Sequence, residues 1–497
     1  MNNTPENSQK DTLKSLKIVG LFSLIKNNSL LNLIVALVGG LLLAWLIIHL
    51  LGKSNVGSLM SGSDSISAKE GDVCLVQDYP NNSCLGNPNA LCEKDMEVAK
   101  IAWKFYENNY QPTTGLFNSV DNYTSTTMWD TGSALAATIA ANDIGLIEQK
   151  EFDDKVMALF KTLKEQKLFN NEAPNKVYNT VTGEMVDYGN NPTPDGIGVS
   201  TLDLARLVSW MNTLTCMHPK YKYEAEQIIS RWKFDRLIKD GQMFGLLYDP
   251  VSKETQVVQE GRLGYEQYAG KVFKHLGFDQ HVASTYNNKF ARSLDMLGVP
   301  IAYDARDPRD LGAYNYVVSE SYVMDGMEHG VDAENEPLIR NIFEVQKRRY
   351  QEKGIITAIS EDNIDRPPYF LYNTIFSSGL PWNTTTDMGV RYDHLKTVSV
   401  KAAMSLASFY PDDEYSKVLF NRIESAYDPD RGWYSGVYEA GLGYNTAMTA
   451  NTNGIILSLF LHKKYGPTYR ICDKCERKLE LDEKILKANT CDRCVTH

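Results

Sequence analysis

The sequence predicts an all-α protein. Its expected architecture is an (α/α)6 toroid of six helical hairpins, with one N-terminal transmembrane helix and a small C-terminal four-cysteine, zinc-ribbon-like tail. Three observations predict it. Helical periodicity over 93–465 alternates between amphipathic segments and segments that are apolar nearly all round. One uncharged apolar run occupies 30–51, and two Cys-x2-Cys pairs close the chain.

In chain order, 1–29 is expected to be a cytoplasmic segment, because Lys10, Lys14, Lys17 and Lys26 precede the apolar run while only Lys53 and Lys69 follow closely. The run 30–51 is long enough to cross a bilayer as a helix, for which roughly 20 apolar residues suffice. A cleaved signal peptide fits less well, since the stretch is long and no clear A-x-A site follows. The reading is therefore a single-pass protein of the cytoplasmic membrane, with its globular part outside the cytoplasm. Residues 52–92 form a Gly/Ser-rich linker and a lead-in that carries Cys74, Cys84 and Cys92, among which one disulfide is expected.

The toroid is expected over 93–465. Outer, amphipathic helices are read at 93–108, 151–166, 220–238, 282–298, 336–350 and 413–427. In the second, Phe152, Val156, Leu159, Phe160 and Leu163 share one face. Inner helices, apolar all round and therefore buried on every side, are read at 131–141, 199–213, 264–277, 318–331, 400–408 and 454–462. Connections from inner to outer helices are short. Those from outer to inner are long, and they gather on one face above the inner helix N-termini, where loops usually carry function. Short glycine-led stretches recur in them, such as GLF at 115–117, GLLYD at 245–249 and GWYSGVYE at 432–439.

Composition narrows the function. Lys plus Arg number 51 against 62 Asp plus Glu, a net charge of −11, which disfavours general nucleic-acid binding. The 28 tyrosines suit a wet binding surface, and equally an aromatic core. Polar clusters open the inner helices, including Trp129-Asp130, Asp203, Tyr265-Glu266, Glu320, and Asn451 with Asn453. Helix capping accounts for many such residues. Glycoside hydrolysis, however, needs two carboxyl groups across a cleft, one protonated and one ionised. Candidate catalytic residues are Glu439, Glu266, Glu260, Asp130, Asp203 and Glu320. Candidate sugar-binding residues are Trp129, Tyr265, Arg262, Trp382, Trp433, Tyr372, Asn451 and Asn453. The acidic loop 351–394 favours a neutral polysaccharide over an anionic one.

The motifs WDTGSALAA, EGRLGYEQYAG, SESYVMDGMEHG, PYFLYNT, SVKAAMSLA, GWYSGVYE and NTNGIILSL resemble the bacterial family called domain of unknown function 3131. The resemblance covers roughly 93–465. It implies a six-hairpin toroid of the glucoamylase-like glycosidase superfamily and a carbohydrate-active site, without naming a sugar. By analogy of position it implies Glu260 or Glu266 as acid and Glu439 as base. Two readings compete with a hydrolase. One is a non-catalytic glycan-binding or scaffolding component of polysaccharide assembly. The other is a polysaccharide lyase built on Tyr392 and His394.

The tail, 466–497, reads Cys472-x2-Cys475 and Cys491-x2-Cys494. That spacing fits a structural four-thiolate zinc site, which would serve stability or a protein partner rather than catalysis. In an oxidising compartment the same cysteines could form disulfides instead. Cys216 stands alone in sequence.

Overall fold

The computed structural model describes residues 91–260, 262–306, 315–475, 479–481 and 486. The expected cytoplasmic segment, membrane helix and linker, and with them Cys491 and Cys494, lie outside the described residues, as does the side chain of Cys475. Among the described residues, no helix is long and apolar enough to cross a membrane.

All six inner helices form where the apolar pattern puts them. They are α2 (Met128–Asp143), α4 (Thr201–Met217), α6 (Tyr265–His275), α7 (Ser319–Glu328), α9 (Val400–Phe409) and α11 (Ala450–Tyr465). Each packs on the next, and α11 closes on α2, so the six make a ring. Small residues permit the close crossings: a Cβ on Gly132 would lie 2.8 Å from the backbone of α4, and one on Gly454 would lie 2.8 Å from the Ser133 carbonyl of α2.

The outer helices are α1 (Glu93–Asn109), α3 (Gln149–Glu165), α5 (Lys222–Ile229), α8 (Glu336–Lys353) and α10 (Glu414–Ile423). In α3 the five buried residues are Phe152, Val156, Leu159, Phe160 and Leu163, the face the periodicity selects. The helix expected at 282–298 does not form. Strands β1 (Ala291–Met296) and β2 (Val299–Asp304) make a hairpin there instead, turning through Leu297 and Gly298, both at positive φ. Pro300, which cannot donate in a helix interior, sits in β2, and β2 packs on α8 in place of the missing helix.

The all-α expectation needs a second correction. The long loops contain short antiparallel strands, and several of the glycine-led stretches are among them. These strands join neighbouring loops: Ser125–Thr127 pairs with Val177–Asn179, Gly198–Val199 with part of Gln242–Asp249, Tyr316–Val317 with Phe376–Ser377, and Thr397–Ser399 with Gly436–Tyr438. A single bridge, Val120 to Thr449, links the first loop to the last. The loops above the ring are thus tied to one another rather than hanging free.

The tail departs from expectation at Cys472. Helix α12 (Thr468–Cys475) brings Cys472 to Cys216 of α4, and the two form a disulfide with Cα atoms 5.1 Å apart. A sulfur so bonded is not a thiolate ligand, so the four-thiolate zinc set read from the spacing is broken at its first member. Cys92 is also disulfide-bonded.

Candidate active site

The inner helices aim their N-termini at the loop face, and in α2 and α4 the third residue is an aspartate at the mouth of the ring. Thr127 caps α2: its hydroxyl accepts from the Asp130 amide (3.0 Å) and donates to the Asp130 carboxylate (2.9 Å). Ser200 does the same for α4 and Asp203, at 3.2 and 2.9 Å. Both aspartates are half-buried. Burial, then the neighbouring Glu260 carboxylate, pushes the Asp203 carboxyl up to about 7. Burial also raises Asp130, against the hydrogen bonds of Ser119 and Thr127 and the charge of Lys401.

Deeper in the mouth, Glu320 is buried. It pairs with Lys401 (2.5 Å) and accepts from Asn451 (2.8 Å) and Ser360 (3.1 Å). Asn451 in turn accepts from the indole N–H of Trp129 at 3.1 Å. An indole only donates and a carboxylate only accepts, so the orientation of the Asn451 amide is fixed. Trp129 is half-buried and meets the Tyr265 ring edge-on at 5.6 Å. Lys401 also faces Asp362 at 3.5 Å, and burial pushes that carboxyl up to about 7. On the adjoining wall, Glu361 accepts from the Tyr265 hydroxyl at 2.9 Å and lies 3.9 Å from Arg262. Burial raises Glu361, and Arg262 eases it back. Arg262 lies over the rings of Tyr316 and Tyr372, which stack at 3.8 Å.

The three glutamates implied by positional analogy are committed to other contacts. Glu260 accepts the Leu202 amide (3.0 Å) and the Thr201 amide, closing the N-terminus of α4. Glu266 is fully buried against Arg306, which also holds Asp304. Glu439 is gripped by both terminal nitrogens of Arg349, at 2.8 and 3.1 Å. Two further sequence candidates are buried structural groups: Trp433 donates to the Val98 carbonyl, and Asn453 bonds the backbone of Trp433 and Thr449. Trp382 is half-buried at the rim beneath Arg349, whose guanidinium lies 4.6 Å from its ring centre. The Tyr392 and His394 rings are 6.2 Å apart.

The structure therefore gathers Trp129, Asp130, Asp203, Tyr265, Arg262, Glu320, Tyr372 and Asn451 at one mouth, and adds Glu361, Asp362 and Lys401. The first two of these additions were visible in sequence only as charges in a long loop. Lys401 had a sharper signal, being a lysine within the otherwise apolar VKAAMSLAS.

A family model described as "Protein of unknown function (DUF3131)" matches residues 97–466. The chain belongs to this family. No curated protein matches the DUF3131 chain significantly in sequence. Solved structures share its fold. An endo-β-1,2-glucanase from Chitinophaga pinensis, in complex with sophorotriose and glucose, superposes with a TM-score of 0.55 at 14% identity, over 80% of this chain and 97% of that one. A protein of Bacteroides caccae, provisionally named a glucoamylase, gives 0.55 at 13% identity over 76% and 94%. An endo-β-1,2-glucanase from Talaromyces funiculosus, in complex with sophorose, gives 0.51 at 13% identity over 80% and 87%. At such identities the likeness establishes the toroid of this DUF3131 protein and leaves its chemistry to be argued from its own residues.

Proposed function

We propose that this protein is a glycoside hydrolase acting on a neutral polysaccharide, with Asp203 as proton donor and Asp130 as its ionised partner. One observation carries the reading: two half-buried aspartates occupy equivalent positions at one mouth, and the environment of Asp203 keeps its carboxyl protonated up to about pH 7. Burial raises the Asp130 carboxyl as well, but the hydrogen bonds of Ser119 and Thr127 and the charge of Lys401 oppose that rise, which supports Asp130 as the ionised partner. The half-buried Trp129 beside them supplies a flat apolar surface for a pyranose ring. Among the described residues named at this mouth, the carboxylates Asp130, Asp203, Glu320, Glu361 and Asp362 outnumber the cations Arg262 and Lys401, which supports a neutral rather than an anionic chain. The apolar run at 30–51 supports anchoring in the cytoplasmic membrane with the toroid outside the cytoplasm.

A scaffold that binds glycan without cutting it is the second reading. The commitment of Glu260, Glu266 and Glu439 to caps and ion pairs favours it. A reducing-end assay on the full chain, offered a panel of polysaccharides, separates the two. New ends from one glycan, absent with Asp203→Asn, are expected. Binding without new ends would favour the scaffold, and ultraviolet-absorbing unsaturated ends would point to a lyase.

A further inference from the structure

The fifth long loop contains a three-stranded sheet whose two faces differ. Strand β3 (Glu361–Asn363) pairs antiparallel with β4 (Phe370–Asn373), setting Glu361 opposite Tyr372 and Asn363 opposite Phe370. Strand β5 (Thr384–Thr385) continues the sheet beyond β4. Residues directly opposite across a ladder share a face. The face carrying Asp362, Leu371 and Asn373 is buried, whereas Glu361, Asn363 and Tyr372 are half-buried and Phe370 is 38% exposed. That alternation puts Phe370, Tyr372, Asn363 and Glu361 on one side, where Tyr316 stacks on Tyr372 and Tyr265 bonds Glu361, so the side opens to solvent chiefly at Phe370.

The open face also has a direction. At its inner end, Glu361 bonds Tyr265 and faces Arg262, beside the carboxylates of the mouth. At its outer end, Phe370 meets Tyr372 edge-on at 5.2 Å, and the next residue out is Tyr369, 61% exposed. Tyr369 is held at φ +70, a conformation that costs a bulky residue energy and that clusters at ligand clamps. Two exposed aromatic residues, Tyr369 and Phe370, thus stand together at the outer end of the face that leads to the mouth.

From this placement, and resting on the polysaccharide reading above, we propose that this side of β3–β4, from the exposed Tyr369 and Phe370 inward along the edge of Tyr372 toward the mouth, is an extended binding strip for a neutral glycan chain. The preferred substrate is then a long polymer lying across the rim, not a free disaccharide.

The test is equilibrium binding to the full chain carrying Asp203→Asn, which keeps the ligand intact. The probes are gluco-oligosaccharides of about three and about eight units with β-1,2, β-1,4 and α-1,4 linkage. For one linkage the longer probe should bind roughly tenfold more tightly, the worth of one or two ring contacts. Phe370→Ala and Tyr369→Ala should each pull that ratio toward one, while Tyr223→Ala on α5 leaves it unchanged. All three side chains are exposed, and thermal melts confirm that the variants fold. A ratio near one in the parent, or a ratio untouched by either rim substitution, would overturn the strip. Length-dependent binding without hydrolysis by the wild-type chain would sink the hydrolase reading and keep the strip. Hydrolysis with length-independent binding would do the reverse, and silence from every probe in both assays would remove both.

Discussion

Asp130 and Asp203 stand at the third position of consecutive inner helices, each bonded through both amide and carboxylate to the hydroxyl that caps its own helix. A cap needs only the hydroxyl and the amide. The carboxylates extend beyond that role into the mouth, where burial and the Glu260 charge push the Asp203 carboxyl up to about 7.

Asp203→Asn is accordingly expected to lower kcat/KM by roughly 10²–10⁴, the usual contribution of a general acid. As an acid, Asp203 works protonated, so wild-type activity should fall as pH rises through about 7. That limb should vanish in the variant. A pH–rate profile unchanged by the substitution would take Asp203 out of the mechanism.

Stability should respond to the buried Asp362. Its folded-state pKa of about 7 lies above the ordinary value of 3.8. Between these values the folded chain keeps a proton that the unfolded chain has released. Stability therefore declines as pH rises across that window, by on the order of a few kcal/mol, and levels off above it. Asp362→Asn should flatten the decline in denaturant melts taken from about pH 4 to 8. A decline of equal slope in the variant would assign it to other groups.

Glu320→Gln should expose the chain of contacts that ends at Trp129. Lys401 would keep, among the described residues, its longer ion pair with Asp362, and breaking a buried pair of this kind costs about 3–5 kcal/mol. The Asn451 amide would lose the carboxylate that fixes its orientation, so Trp129 fluorescence should shift. A shift of the same size in a Trp129→Phe background would show that the signal comes from another tryptophan.

Cys216→Ser should destabilise the toroid by roughly 2–5 kcal/mol, because the lost cross-link spans 256 residues. Reductant should then lower the Tm of the variant by less than it lowers that of the wild type. Equal sensitivity would mean that Cys216 and Cys472 are not joined in the purified protein.

The ring of inner helices follows from the order of apolar residues along the chain. Six segments apolar on all sides can be satisfied only by burial on all sides, and helices surrounded by other helices provide it, so all six inner helices were legible to within a few residues at their ends. The helix read at 282–298 failed because its apolar residues suit either period. The Leu297-Gly298 turn and Pro300, both present in the sequence, are what decide for a hairpin. The capping aspartates were legible as a repeated local motif. Which carboxylates remain available depends on contacts between residues far apart in the chain. Glu266, Glu439 and Glu260 look like free acids in sequence, yet Arg306, Arg349 and the amides of α4 reach them from distant parts of the chain. Cys472 likewise meets its partner 256 residues away rather than three. Periodicity is a property of neighbours along the chain, whereas the state of a buried charge or thiol depends on whatever the fold brings against it.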